Sequence, residues 1–245
     1  MKKNKSQLFS VFGILSILLI WFVFSSLTNE EMVMPSIATT VNTLFELLGK
    51  ITTYSIIMNS VGGMFLIIII AFLIVLILIV FSYRFKLFKS FITPLMSLFK
   101  VLPVPAIIIF LLVHFNNTIA PYILTSMVII PLLYEGLYGS IMSIEPEVID
   151  DVKTYTNINI HVILNLIIPT ARIGVITSLL QSFGVGLKVK IMTEFISNSP
   201  KTIGYQLNIA RSVLNMNYVF AWTIILVIIV VMIDLLLNYC FKKTQ

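Results

Sequence analysis

A single cysteine and two histidines in 245 residues leave little with which to build a covalent or metal-bound scaffold. Cys240 has no partner for a disulfide within one chain, and its place at the end of the last apolar run suits a small interfacial filler. His114 and His161 are predicted on opposite sides of the chain's membrane topology, which excludes a histidine-based metal site. No Ser/His/Asp or Cys/His arrangement can be assembled for hydrolysis, and no cofactor is expected. Charge is scarce too, at 11% of residues against 59% apolar, and a soluble core of this length cannot hide so much apolar surface. The net charge of +6 is spread around hydrophobic runs without an aromatic-interleaved patch, so it orients the chain in a membrane and does not bind nucleic acid. A glycine-rich G-x-x-x-x-G-K-[ST] loop is missing, so ATP, if it is used, is hydrolysed by a partner.

What is present is a series of long apolar runs. Lys2, Lys3 and Lys5 precede a run from Leu8 to Leu27, too long for a signal peptide and without an A-x-A site, which reads as a retained first span. Met34-Pro35-Ser36 opens an amphipathic stretch with Val41, Leu44, Phe45 and Leu48 at helical spacing and Ser36 as the cap. Further spans are expected over 56–81, 101–115, 119–140, from near Pro169, and over 218–241. Pro103 and Pro105 would kink or delay the third of the six. With the N-terminus inside, Arg84, Lys86, Lys89, Lys100, Lys153, Lys242 and Lys243 fall inside and Lys50, Lys201 and Arg211 outside, as the positive-inside rule requires. The fold class is therefore all-α, a polytopic membrane protein of about six transmembrane helices in one domain, 1–245. Both termini are expected in the cytoplasm.

A polar interlude at about 143–163 separates the fourth and fifth spans. Pro146 suits a first helical position, Glu147 favours the positive end of the helix dipole, and Val148, Val152 and Tyr155 make one apolar stripe flanked by Glu147, Asp150, Asp151 and Lys153. Such a short helix can dock into a groove of another protein. The segment resembles the cytoplasmic loop of ATP-binding-cassette importer permeases, which carries Glu-Ala-Ala, a glycine four positions on, and Leu-Pro. Asp150-Asp151-Val152, Thr156 and Ile168-Pro169 stand at those positions with the spacing intact, while Asp151 for Ala and Thr156 for Gly depart in identity. Asn157 tolerates left-handed backbone better than Thr156, so the helix is expected to end one residue later than in the family.

The resemblance extends from Met34 to the end of the last span. Met34-Pro35-Ser36, the prolines of Leu102-Pro103-Val104-Pro105, Ser143-Ile144-Glu145-Pro146-Glu147 and Ile203-Gly204-Tyr205 are similar to the branch that imports nitrate, sulfonates, taurine, bicarbonate or thiamine-precursor pyrimidines. It implies a permease that pairs with a second copy of itself in the plasma (inner) membrane. It also implies a separate ATPase subunit docking on Val148, Asp150, Asp151, Val152, Tyr155, Thr156 and Pro169, and an extracytoplasmic solute-binding protein.

Four charges fall inside spans: Glu135 in the fourth, and Lys188, Lys190 and Glu194 in the fifth. Lys190 and Glu194 are one helical turn apart and can pair. Either the charges neutralise one another or reach the surface, or Lys188 and Lys190 face an anionic substrate with Glu135 or Glu194 as gate or counter-ion. Asp234 suits a cap near the inner end of the sixth span. The competing functions are a stand-alone ion-coupled carrier, which would need polar residues in several spans, and the scaffold subunit of a vitamin importer, whose Ala-Arg-Ser type signature matches Ala210-Arg211-Ser212 on the wrong side.

Overall fold

The computed structural model describes residues 2–28, 30–144, 147, 154, 160–162, 165–166 and 168–242. Among them every regular element is a helix. The helices are α1 (Lys2–Thr28), α2 (Ile37–Leu48), α3 (Ile51–Ile57), α4 (Gly63–Arg84), α5 (Lys86–Val101), α6 (Val104–His114), α7 (Ala120–Met142), α8 (Arg172–Ser197), α9 (Ile203–Ser212) and α10 (Met216–Lys242). A π-helical turn, Met58–Gly62, joins α3 to α4 so that helix runs unbroken over Ile51–Arg84. Among the described residues, four helices are long and apolar enough to cross a membrane: Ile51–Arg84, α7, α8 and α10 over Met216–Leu236. A fifth span is made if α5 and α6 count as one bent pair. The difference from the six expected lies in that pair and in α1, of which Leu15–Thr28 is the apolar helical part.

The segment expected as a connection carrying Lys86, Lys89 and Lys100 is helical α5, and the span expected over 101–115 is only the 11 residues of α6, set at 98° to α5. Prolines cause the break. A residue that precedes proline is driven out of the α region, and Leu102 before Pro103 is extended, with φ −62° and ψ 129°. Pro105 then sits in the first turn of α6, where its missing N–H costs nothing.

Two compact units are built from 1–55 with 206–233, and from 56–205 with 234–245. In the first, Ser36 caps α2 as expected, its Oγ accepting the Thr39 N–H at 3.1 Å. Trp21 Nε1 donates to the Pro35 carbonyl at 2.9 Å and its ring lies 5.3 Å from Phe220. Lys50 and the Tyr218 hydroxyl both donate to Glu46, holding its carboxyl below the ordinary value, and Lys50 is raised in return.

The second unit centres on α4, α7 and α8. On α4, Met64, Ile67, Ala71, Val75 and Ile79 form a buried stripe at helical spacing, while Phe65, Leu66, Ile69, Leu73 and Ile77 point outward. Outward apolar side chains are what lipid demands, and lipid gives helices no hydrophobic reason to associate, so α7 and α8 must approach through small residues. They do so reciprocally. Gly136 of α7 faces Ser178 of α8 and Gly174 of α8 faces Ser140 of α7; a Cβ on either glycine would fall 2.7 Å from the opposing serine Cβ. Each serine spends its hydroxyl on its own helix, Ser140 Oγ on the Gly136 carbonyl at 2.6 Å and Ser178 Oγ on that of Gly174 at 2.7 Å, so no polar atom is stranded at the crossing.

The end of α8 is set by Asn198, left-handed at φ 53° and ψ 44°, while the Ser199 N–H returns to the Glu194 carbonyl at 3.1 Å. Asparagine tolerates this region and a β-branched residue does not. Asn198→Val should therefore cost about 1–2 kcal/mol, read by thermal unfolding of the detergent-solubilised chain.

Candidate functional site

α8 carries three of the four charges expected within the membrane, and helical geometry separates their fates. Lys190 and Glu194 are one turn apart on the face that packs inward, and about 1% of either side chain is exposed. Lys188 lies two residues from Lys190, about 200° around the helix, and is exposed. Glu135, in α7, is paired with Lys100 of α5 at 2.6 Å, both half-exposed. Such a pair contributes about 1 kcal/mol at most.

Burying two full charges calls for compensating partners, and several converge here. Lys190 Nζ is ion-paired with Glu194 Oε1 and stands 4.7 Å from the centre of the Tyr122 ring in α7. Glu194 Oε2 accepts the Ser60 hydroxyl at 2.8 Å and the Gly204 N–H at 3.3 Å. Ser60 Oγ in turn accepts the Ile203 N–H at 2.9 Å, and Asn59 Nδ2 donates to the Lys201 carbonyl at 3.0 Å. Ser60 stands in the π-helical turn, whose wider ring bends the carbonyl ladder where the serine must meet the carboxylate. Two glycines make the room. A Cβ at Gly204 would fall 2.5 Å from the Ile191 carbonyl oxygen, and one at Gly63 would fall 3.1 Å from Lys190 Cε. The cluster thereby ties the start of α9 to α4 and α8. Its two charges are turned toward each other.

Sequence reasoning placed Lys190 and Glu194 together but missed Ser60, Tyr122 and the two backbone N–H donors. The Gly62–Gly63 pair inside an otherwise apolar run, and Gly204 in Ile203-Gly204-Tyr205, were the visible signals. Of the expected ATPase-docking residues, Pro169 is exposed in the short helical turn Ile168–Thr170. Val148, Asp150, Asp151, Val152, Tyr155 and Thr156 lie outside the described residues, as does the expected helix end at Asn157.

The model of one protein family, the binding-protein-dependent transport system inner membrane component, matches residues 74–245, more than two thirds of the chain. The chain belongs to that family. The match takes in the later half of α4, the α5–α6 bend, the α7–α8 pair and the whole interlude between them. This permease is accordingly the membrane component of a binding-protein-dependent transporter, a multi-pass inner-membrane protein, and not itself a catalyst. No curated protein is significantly similar to the permease.

Proposed function

We propose that the chain, as a single permease domain over 1–245, forms one half of the translocation pathway of an ATP-driven importer for a small anionic solute. It pairs with a second copy, two ATPase subunits supply the energy, and an extracytoplasmic binding protein delivers the solute. The observation that carries this reading is the family match across 74–245, because the matched region includes the interlude where Asp150-Asp151-Val152 and Ile168-Pro169 keep the family's loop spacing. The loop takes up the ATPase's movement through Val148, Val152 and Tyr155 on its apolar stripe and Asp150 and Asp151 beside it, with Thr156 and Pro169 ending its two halves. The bias of Lys and Arg supports a cytoplasmic loop and cytoplasmic termini.

Among the pathway candidates, the buried pairing of Lys190 with Glu194 supports a holding role for those two. Lys188, exposed on the other face of α8, is then the cation that meets the solute, with Glu135 released from Lys100 as its gate. The order of proline and glycine motifs favours the branch that imports nitrate, sulfonates, taurine, bicarbonate or thiamine-precursor pyrimidines.

The test is co-purification of a candidate ATPase with wild-type permease and with the Asp150→Arg/Val152→Arg variant. The wild type is expected to retain the ATPase. The variant, still folded by size-exclusion chromatography, is expected to lose it at least tenfold, since two buried arginines unpaired at a docking helix cost about 2–5 kcal/mol. Retention by both moves the docking site off this loop, and a wild type that holds no ATPase revives a carrier acting alone.

A further inference from the structure

Where α4 ends and α5 begins, the second unit opens a cavity of about 830 Å³. Lys86, Lys89, Ser90 and Thr93 of α5 line one side, and Tyr138 and Met142 from the last turns of α7 line the other. Lys89 Nζ stands 4.7 Å over the Tyr138 ring, which stacks on Tyr134 at 5.8 Å, and the Tyr134 hydroxyl donates to the buried Ser82 at 2.7 Å. A chain of contacts reaching into the core therefore positions this ammonium, unlike that of a free surface lysine. Lys100, farther along the same helix, is neutralised by Glu135, but among the described residues neither Lys86 nor Lys89 is ion-paired. Two positive charges thus converge on a cavity whose described lining holds no carboxylate.

The flank of the cavity is apolar. Leu87 and Phe91, on the same helix, are 87% and 64% exposed. Phe81 lies 6.3 Å from Phe85 and 5.6 Å from Phe88, an aromatic group at the end of a span, where headgroups meet acyl chains. Helix α5 therefore has the form of an interfacial helix, apolar side chains toward acyl chains and lysines toward headgroups. The Ser90 and Thr93 hydroxyls donate to the Lys86 and Lys89 carbonyls, which leaves their oxygens as acceptors toward the cavity.

We propose that this cavity binds the headgroup of an anionic phospholipid, its phosphate between Lys86 and Lys89, its headgroup hydroxyls on Ser90 and Thr93, and its acyl chains along Leu87 and Phe91. The two ammonium groups attract a phosphodiester and repel the amine of a zwitterionic headgroup, so phosphatidylglycerol is bound in preference to phosphatidylethanolamine. A soluble phosphate satisfies the lysines but has no use for the exposed apolar flank, which favours the lipid as the source of the anion.

The experiment uses the full chain in nanodiscs of equal phosphatidylglycerol and phosphatidylethanolamine, with retained lipid counted by native mass spectrometry after mild delipidation. Wild type is expected to enrich phosphatidylglycerol, Lys86→Gln/Lys89→Gln to lose that enrichment by about fivefold per lysine, and Tyr138→Leu to weaken it. Tyr138→Phe keeps the ring under Lys89 and should keep the lipid. Because both lysines are exposed, the double glutamine variant is expected to fold, and an unchanged elution profile establishes that it has. Equal retention of the two lipids, or undiminished enrichment in the folded double variant, overturns the proposal. Displacement of the lipid by excess inorganic phosphate overturns it as well, because the site would then be one for a free anion.

Discussion

Glu194→Leu should leave almost no folded permease to purify. The substitution strands Lys190, about 1% exposed, without its counter-charge, and removing one partner of a buried pair costs about 3–5 kcal/mol. It also takes the acceptor from Ser60 and from the Gly204 N–H, each worth roughly another 1–3 kcal/mol when left unmet. The sum rivals the whole stability of a domain, about 5–15 kcal/mol. The pair itself is a different matter, since a neutral replacement that keeps the hydrogen bonds gives up little. In Lys190→Gln/Glu194→Gln the amide oxygen at 194 still accepts from Ser60 and Gly204, and its NH2 donates to the amide oxygen at 190 in place of the ion pair. That double variant should recover most of the folded yield and melting temperature, measured by fluorescence-detected size exclusion over a temperature ramp. Should it fare no better than Glu194→Leu, the cluster would owe its importance to something other than balanced burial of charge.

The second large effect lies at the crossing of α7 and α8. Gly136→Leu or Gly174→Leu places a branched side chain where a Cβ alone comes within 2.7 Å of a serine Cβ, and the two helices cannot keep their approach. Loss of the folded monodisperse species is the expected outcome. Gly136→Ala, a single added methyl, should cost about 1–3 kcal/mol as overpacking. Exchanging the two sides in Gly136→Ala/Ser178→Gly returns the same volume to the same gap, so the pair should regain most of what the single change loses. The hydroxyl of Ser178 contributes little of its own, because its bond stays within α8, and Ser178→Ala is expected to shift stability by less than about 1 kcal/mol. No recovery in the exchanged pair would mean that close approach at this point does not hold the helices together.

Much of this was legible from local pattern. The apolar runs announced α4, α7, α8 and α10, and Ser36 after Pro35 announced the start of α2, because span length and capping depend on neighbours in sequence. The two prolines announced a break, though not that the lysine-rich stretch before it would be a full helix; its Phe, Leu and Lys residues carry an amphipathic period that reads equally as an interfacial connection. The i, i+4 relation of Lys190 to Glu194 was visible for the same local reason. Ser60, by contrast, is 134 residues from the carboxylate it serves, and Lys100 is 35 from Glu135. No local rule joins such pairs. The π-helical turn that aims Ser60 is likewise set by its distant partner, and the glycine–serine spacings on α7 and α8 gain meaning only once the two helices are known to cross.

The bend between α5 and α6 carries a consequence for the surrounding bilayer. An 11-residue helix is about 16 Å long, and the hydrocarbon core of a bilayer is about 30 Å thick. Ile109, Phe110 and Val113 of α6 are exposed, so α6 by itself offers an apolar wall only about half as tall as that layer. Such hydrophobic mismatch costs a fraction of a kcal/mol per Å whether the lipid thins or tilts to match, and across a shortfall of about 14 Å the strain accumulates to several kcal/mol. A second copy laid over Ile109, Phe110 and Val113 would remove that strain, so the short helix would favour the pairing proposed above through the elastic discomfort of the lipid displaced.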